Sequence, residues 1–245
     1  MKKSYIVILL IFSVLVIDQA LKIWIKTSFC YGEDRPLFGN AEWARLNFVE
    51  NPGMAFGWKF GGDFGKLALS LFRLVAISFL IYYVIKLVKR NVTTGLLVSF
   101  SLILAGAIGN MIDSAFYGMI FSNSDFHCGG GPAKMFPPEG GYAGFLHGRV
   151  VDMLFFPLLR NDAHEVLFFQ PVFNIADSAI TIGVLSILLF QRHYFSEQHE
   201  AATAKAEIPI ENTSEVVDTD LSRANREGGV NEVEKEVTEE KKDIL

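Results

Sequence analysis

The chain has 245 residues, 51% of them hydrophobic and 22 of them phenylalanine, with a formal net charge of −5. Its mean hydropathy of +0.31 is too apolar for an ordinary soluble domain of this length. Residues 197–245 hold fourteen acids and six bases, a net of −8, so the rest of the chain sums to +3. Neither part carries the clustered basic face with interleaved aromatics that nucleic acid requires, which excludes nucleic acid as a partner.

Four long apolar stretches organise the chain: residues 5–25, 67–87, 95–112 and 172–190. Each is near the roughly 20 residues a helix needs to cross the hydrocarbon core. The expected class is therefore an all-α polytopic membrane protein with four transmembrane helices. Met1-Lys2-Lys3 before the first stretch has the look of a secretory signal peptide. The apolar run is too long for that, however, and Thr27-Ser28-Phe29 is not a small-residue cleavage approach. Within the run, Asp18 and Lys22 are four apart and share a helix face. They read equally well as a structural ion pair near the outer interface, with Lys22 snorkelling, and as part of a site.

Lys2 and Lys3, then Lys86, Lys89 and Arg90, and Arg192 after the fourth stretch, place both termini and the second-to-third connection in the cytoplasm by the positive-inside rule. Segments of about 26–66 and 114–171 then face outward. In the first, Leu46, Phe48 and Glu50 alternate with Asn47 and Val49, a short-strand pattern, and Asn51-Pro52-Gly53 reads as a turn. A small β element beside a membrane bundle suits the cradling of an extended peptide. In the third stretch, Gly106 and Gly109, with Ala105 and Ala107, permit close helix approach, while Asn110 and Asp113 share one face for interhelical hydrogen bonding.

The second outer segment is rich in Gly and Pro and reads as loop. Its Asp125, His127 and Cys128, with His147 and His164 further off, fit no ordinary zinc spacing and read as solvated loop residues. No metal or cofactor is expected. Cys30 and Cys128 lie in outer segments, where a disulfide is permitted; they are expected unpaired, because nothing here resembles a small fold in need of a staple. Beyond Phe195 the aromatics end and charged and small polar residues dominate, so residues 196–245 are expected to be a disordered, acidic cytoplasmic tail behind a membrane domain of residues 1–195.

Two short apolar runs each carry one acid: Val150-Val151-Asp152-Met153-Leu154-Phe155-Phe156 and Phe173-Asn174-Ile175-Ala176-Asp177-Ser178-Ala179-Ile180. A carboxyl among such side chains is held toward its neutral form, and two brought together can share one proton as an acid/base pair. The plainer reading is that each caps a helix or is paired at the water interface. A proton or ion transporter would also place acids in membrane helices, but nearer mid-helix and with an internal repeat, which this chain lacks. A scaffold using its acidic tail would be indifferent to either aspartate.

Taken together, the motifs resemble those of signal peptidase II, the bacterial lipoprotein signal peptidase. Asp18-Gln19-Ala20-Leu21-Lys22 resembles the family's first-helix motif, and Asn51-Pro52-Gly53-Met54-Ala55-Phe56-Gly57 its N-x-G-x-A-F-G turn. Gly109-Asn110-Met111-Ile112-Asp113 resembles the third-helix motif, and the runs around Asp152 and Asp177 the two catalytic segments. The resemblance implies a metal-free aspartic endopeptidase of the bacterial cytoplasmic (inner) membrane, with its active site at the outer face. Its substrate is implied to be a diacylglyceryl prolipoprotein, cut before the lipidated cysteine, with membrane lipid as the surrounding partner. Asp152 and Asp177 are implied to be catalytic, and Asn51, Gly53, Asn110, Asn174, Asp18 and Lys22 to bind substrate or support the site.

The chain departs from the family at two places. Ser114 stands where the family has arginine, and Arg149 is the substitute the sequence suggests. Residues 117–148 also exceed the usual connection, as either an enlarged lid or a surface elaboration.

Overall fold

The first three apolar stretches form long helices, and most of the fourth forms a shorter one. The computed structural model describes residues 2–39, 42–52, 62–126, 129–157, 159–160, 166–168 and 171–190. Helix α1 is Lys3–Ser28, α2 is Gly62–Lys89 and α3 is Thr94–Ile112. Helix α3 runs on through a π-helical turn, Asp113–Tyr117, into the short α4, Gly118–Ile120. Helix α5 is Ile175–Phe190. Lys3–Ser28, Phe64–Lys89 and Thr94–Ile120 are long and apolar enough to cross a membrane; α5 is shorter, at 16 residues. Their exposed large side chains include Ile8, Leu9 and Phe12 on α1, Phe72, Val75 and Phe79 on α2, and Leu188 and Leu189 on α5. Such a coat suits hydrocarbon and not water.

Helix α3 lies at the centre, packed against α1, α2 and α5. Its approach to α5 depends on small residues. A Cβ at Gly106 would collide with the carbonyl oxygen of Ala176, and one at Gly109 would press on the Asp18 carboxylate and the Ala176 methyl. Lipid tails are as apolar as leucine, so close packing of this kind is what holds helices together in a bilayer. At one end of the bundle, Lys3 Nζ donates to the carbonyl of Asn91 at 3.0 Å, tying the start of α1 to the turn between α2 and α3.

At the other end lies a four-stranded antiparallel sheet in the order β1 (Asp34–Pro36), β2 (Arg45–Asn51), β3 (Val150–Phe155) and β6 (Val172–Phe173). Strands β4 (Leu159–Arg160) and β5 (Val166–Phe168) pair separately as a hairpin between β3 and β6. The alternation read in β2 holds: Leu46, Phe48 and Glu50 are buried while their neighbours are half-buried. Val49 lies opposite Asp152 and Asn51 opposite Val150. Two residues of the fourth apolar stretch, Val172 and Phe173, belong to this sheet, and the helix begins only at Ile175.

The sheet and the segment that follows α3 share a core of Ile25, Phe29, Leu46, Phe48, Tyr117, Phe121, Val151 and Met153. The described residues of that long segment are built onto the core. Phe121 bridges Met135, Ser122 N donates to Lys134 O at 2.9 Å, and Ala143 N donates to Gly118 O at 2.9 Å. It is further held by a buried polar cluster. Lys26 pairs with Glu50 and donates to Ser124 Oγ at 2.9 Å, while Ser124 Oγ and Arg149 Nη1 donate to Glu50 at 2.8 and 2.9 Å. Burial pushes the Glu50 carboxyl up, but Lys26, Arg149 and Ser124 overcome it and hold it below the ordinary glutamate value.

The expectation of unpaired thiols is corrected at Cys30, which is disulfide-bonded. The other cysteine in the sequence, Cys128, lies outside the described residues, as do His127, His164 and Gly53. The same holds for the predicted tail, 196–245; the chain divides into units of Met1–Arg192 and His193–Leu245. Among the described residues no group of three or more His, Cys, Asp or Glu side chains could hold a metal ion.

Candidate active site

Strand β3 and helix α5 each bring one aspartate to the junction of sheet and bundle. Antiparallel pairing of Leu154 with Phe173 and Phe155 with Val172 folds the chain back so that the two runs, separate in sequence, end side by side. Asn174 then starts α5. Its Oδ1 accepts the Asp177 N–H at 2.9 Å, while its own N–H donates to Asp177 Oδ2 at 3.3 Å, a reciprocal capping box three residues apart. The same residue's Nδ2 donates to Asp152 Oδ1 at 2.7 Å. One asparagine thus holds both carboxyls.

The two acids stand in unlike surroundings. Asp152 is buried, 4% exposed, and burial, followed by repulsion from Asp177, pushes its carboxyl up to about 8. At neutral pH it keeps its proton. Asp177 is half-buried, sits in the first turn of α5, where the helix dipole favours negative charge, and accepts a further bond from Asn110 Nδ2 at 2.8 Å. It is the group of the pair that water reaches.

Behind the pair is a second layer centred on Lys22. Its ammonium is fully buried and lies 2.9 Å from both Asp18 and Asp113, and it donates to Asn110 Oδ1 at 3.0 Å. Each of those carboxylates holds the backbone just ahead of a candidate acid. Asp18 Oδ1 accepts from Ala176 N at 2.9 Å, and Asp113 Oδ2 from Val151 N at 3.2 Å. Gln19 links the two carboxylates, and Tyr117 donates to Gln19 Oε1 at 3.1 Å. The snorkelling reading of Lys22 is therefore corrected: two carboxylates and an amide leave its head no reason to reach water, and it acts as the hub that sets the spacing of the runs.

Of the residues singled out from sequence, Asp18, Lys22, Asn110, Asp152, Asn174 and Asp177 come together here. Asn51 ends β2 opposite Val150, two residues from Asp152 in the neighbouring strand; Gly53 lies outside the described residues. Arg149 does not stand in at Ser114. It is engaged with Glu50 and with Asn123 at 3.0 Å. The arginine that reaches Ser114 is Arg73 of α2, whose Nη1 donates to Ser114 Oγ at 3.3 Å. Sequence reasoning passed over it, although an arginine inside an apolar span is a functional signal by itself. Glu50 with Lys26 was missed as well, since its pairing joins residues remote in the chain.

The fold and the site together define a multi-pass membrane protein with a buried and a half-buried carboxyl side by side at one end of its bundle. A family model described as signal peptidase (SPase) II matches residues 10–192. The chain is 48% identical over 194 residues to the lipoprotein signal peptidase of Porphyromonas gingivalis (strain W83), covering 75% of this chain and 81% of that one. It is 36% identical over 233 residues to the lipoprotein signal peptidase of Amoebophilus asiaticus, covering 89% and 92%. A bacterial membrane enzyme solved by the in meso method at 1.9 Å shares the fold, with a TM-score of 0.50 and 23% identity over 77% of this chain and 93% of that one. The chain belongs to the signal peptidase II family, aspartic peptidases of the bacterial membrane that remove signal peptides from prolipoproteins.

Proposed function

We propose that Asp152 and Asp177 are the reacting pair and that the protein cuts diacylglyceryl-modified prolipoproteins immediately before the lipidated cysteine. The observation that carries the reading is Asn174, which bonds both carboxyls, while burial and then the neighbouring Asp177 push the Asp152 carboxyl up to about 8. Asp177 takes a proton from water as its oxygen attacks the scissile carbonyl carbon, and Asp152 gives its proton to the carbonyl oxygen. On collapse of the tetrahedral intermediate the C–N bond breaks. Asp177 then protonates the leaving nitrogen, and a hydroxyl proton returns to Asp152. No metal or cofactor takes part.

Asn51 and Gly53 hold the substrate main chain beside the sheet, Asn110 and Asn174 orient the carboxyls, and Asp18 and Lys22 support them. The pair lies at the outer face of the cytoplasmic membrane with both termini inside, a topology supported by the basic residues at the start of α1 and at the α2–α3 turn. There the substrate's acyl chains stay in the bilayer while water enters from outside. Residues 1–195 are the peptidase domain and 196–245 an accessory cytoplasmic tail; nucleic acid is not a partner.

The test is cleavage of a diacylglyceryl prolipoprotein in detergent by the wild-type protein, Asp152→Asn and Asp177→Asn. Wild type should cut, and both variants, folded, should lose nearly all turnover. Wild-type-like cutting by either variant would remove that residue from the pair, and an unlipidated precursor cut equally well would remove the lipid requirement.

A further inference from the structure

We propose that Arg73 of α2 is the positioning cation of the carboxyl pair, holding its single negative charge in place from the side of α2. The inference rests on the assignment of Asp152 and Asp177 as that pair. Helix α2 turns a polar edge toward the site. Lys66 donates to the carbonyl of His147, Ser70 Oγ to the carbonyl of Leu146 at 3.1 Å, and Arg73 Nη1 to Ser114 Oγ at 3.3 Å. Spacings of four and three residues put all three on one helix face. The loop they grip is bonded to the π-helical turn, through Leu146 N to Ala115 O at 3.2 Å and Gly148 N to Ser114 O at 2.8 Å. Gly148 permits this approach, since a Cβ there would collide with the Asp113 carbonyl.

From Arg73 a short chain of groups leads to the pair. Ser114 Oγ donates to the Asn110 carbonyl at 3.1 Å, and the Asn110 side chain donates to Asp177 at 2.8 Å. Against the burial of the guanidinium stand the carboxyls of Asp177 on α5, Asp113 on the π-helical turn and Asp152 on β3. Asp18 and Lys22 on α1 form the next layer. Lys22 already lies between Asp18 and Asp113, one ammonium for two carboxylates, and Lys26 and Arg149 are committed to Glu50. Arg73, tied to Ser114 and through Asn110 to Asp177, is the cation we assign to the pair. An arginine in an apolar span faces the interior and finds carboxylates, and here those carboxylates are the reacting ones.

The test compares wild type, Arg73→Met, Arg73→Lys and Arg73→Met with Ser114→Arg, in detergent, by the pH profile of prolipoprotein cleavage. An opposite charge at close range typically shifts a carboxyl by one unit or more, so Arg73→Met should move both limbs of the profile to higher pH by about one unit. Arg73→Lys should keep the limbs near wild type at a reduced rate, and the arginine relocated to position 114 should draw them back. Loss of rate at every pH with the limbs unmoved would reduce Arg73 to a structural tie and overturn the proposal.

Infrared difference titration of the protonated carboxyl band, without substrate, reads the same shift and needs no turnover. An unmoved band in Arg73→Met overturns the proposal even in an inactive preparation. Asp152→Asn and Asp177→Asn, run alongside, report separately on the assignment of the pair.

Discussion

Replacing Asp152 by asparagine separates what this residue does for the chemistry from what it costs the fold. Burial, then Asp177, holds the folded carboxyl at about 8 against an ordinary 3.8. The folded value is the higher one, so the folded state binds the proton more tightly than the unfolded chain. Stability drawn from Asp152 is therefore complete below an ordinary aspartate's pKa, declines as pH rises between the two values, and is gone above the folded one. At pH 7 most of that window has been crossed. At about 1.4 kcal/mol per pH unit the carboxyl then costs on the order of 4 kcal/mol relative to a group that never ionises.

Asparagine is such a group. It keeps the shape, and its Oδ1 can accept the Asn174 Nδ2 bond now made at 2.7 Å. Asp152→Asn should therefore abolish cleavage while melting roughly 10 °C above wild type at pH 7, with the advantage vanishing near pH 4. Thermal unfolding in detergent, followed by tryptophan fluorescence at a series of pH values, measures the difference between the two proteins. Titrating groups that do not interact with Asp152 cancel in that difference. Equal melting temperatures at pH 7 would refute the reasoning, because the carboxyl would then not be held neutral by burial.

Four further variants test the layers around the pair. Glu50→Ala leaves Lys26 and Arg149 without their shared carboxylate in a buried cluster and should destabilise by about 3–5 kcal/mol. Lys26→Met with Glu50→Leu should recover much of that loss in the same melting assay. Asn174→Ala removes the α5 cap and the bridge between the acids; it should cost about 1 kcal/mol of stability and lower the cleavage rate far more than that loss explains. Gly106→Ala forces α3 away from the Ala176 carbonyl and should cost about 1–3 kcal/mol. It should also slow cleavage, because Ala176 directly precedes Asp177.

Hydropathy made the helices legible, because a span must be apolar along its whole length whatever it packs against. The β2 alternation and the Gly106–Gly109 seam were readable for the same reason: a local pattern answers to a local geometry. What escaped was set by partners far away in the chain. Val172 and Phe173 look like the start of a helix until β3 pairs with them. Lys22 looks like a snorkelling lysine until Asp113, on another helix, closes on it. Arg149 precedes the Asp152 run and invited a role at Ser114, yet Glu50 and Asn123 claim it, while Arg73 arrives from a helix about 40 residues earlier in the chain. Family resemblance supplied the candidate site residues; it supplied none of these pairings.

An aspartic pair requires two chemically identical groups to behave differently at one pH, and here the architecture creates the difference. A strand delivers Asp152 into the sheet's buried face, where desolvation favours the proton. A helix N-terminus delivers Asp177, half-buried, with its carboxyl oxygens bonded by Asn110 Nδ2 and the Asn174 N–H. Helices alone could bury both acids, but exchange of their roles during a reaction cycle also requires a fixed separation. The Asp18–Lys22–Asp113 layer provides that by holding the backbone at Ala176 and Val151 together. On the proposed assignment the small sheet beside the bundle is as much a part of the acid/base chemistry as the aspartates, because pairing of β3 with β6 brings the buried Asp152 beside Asp177.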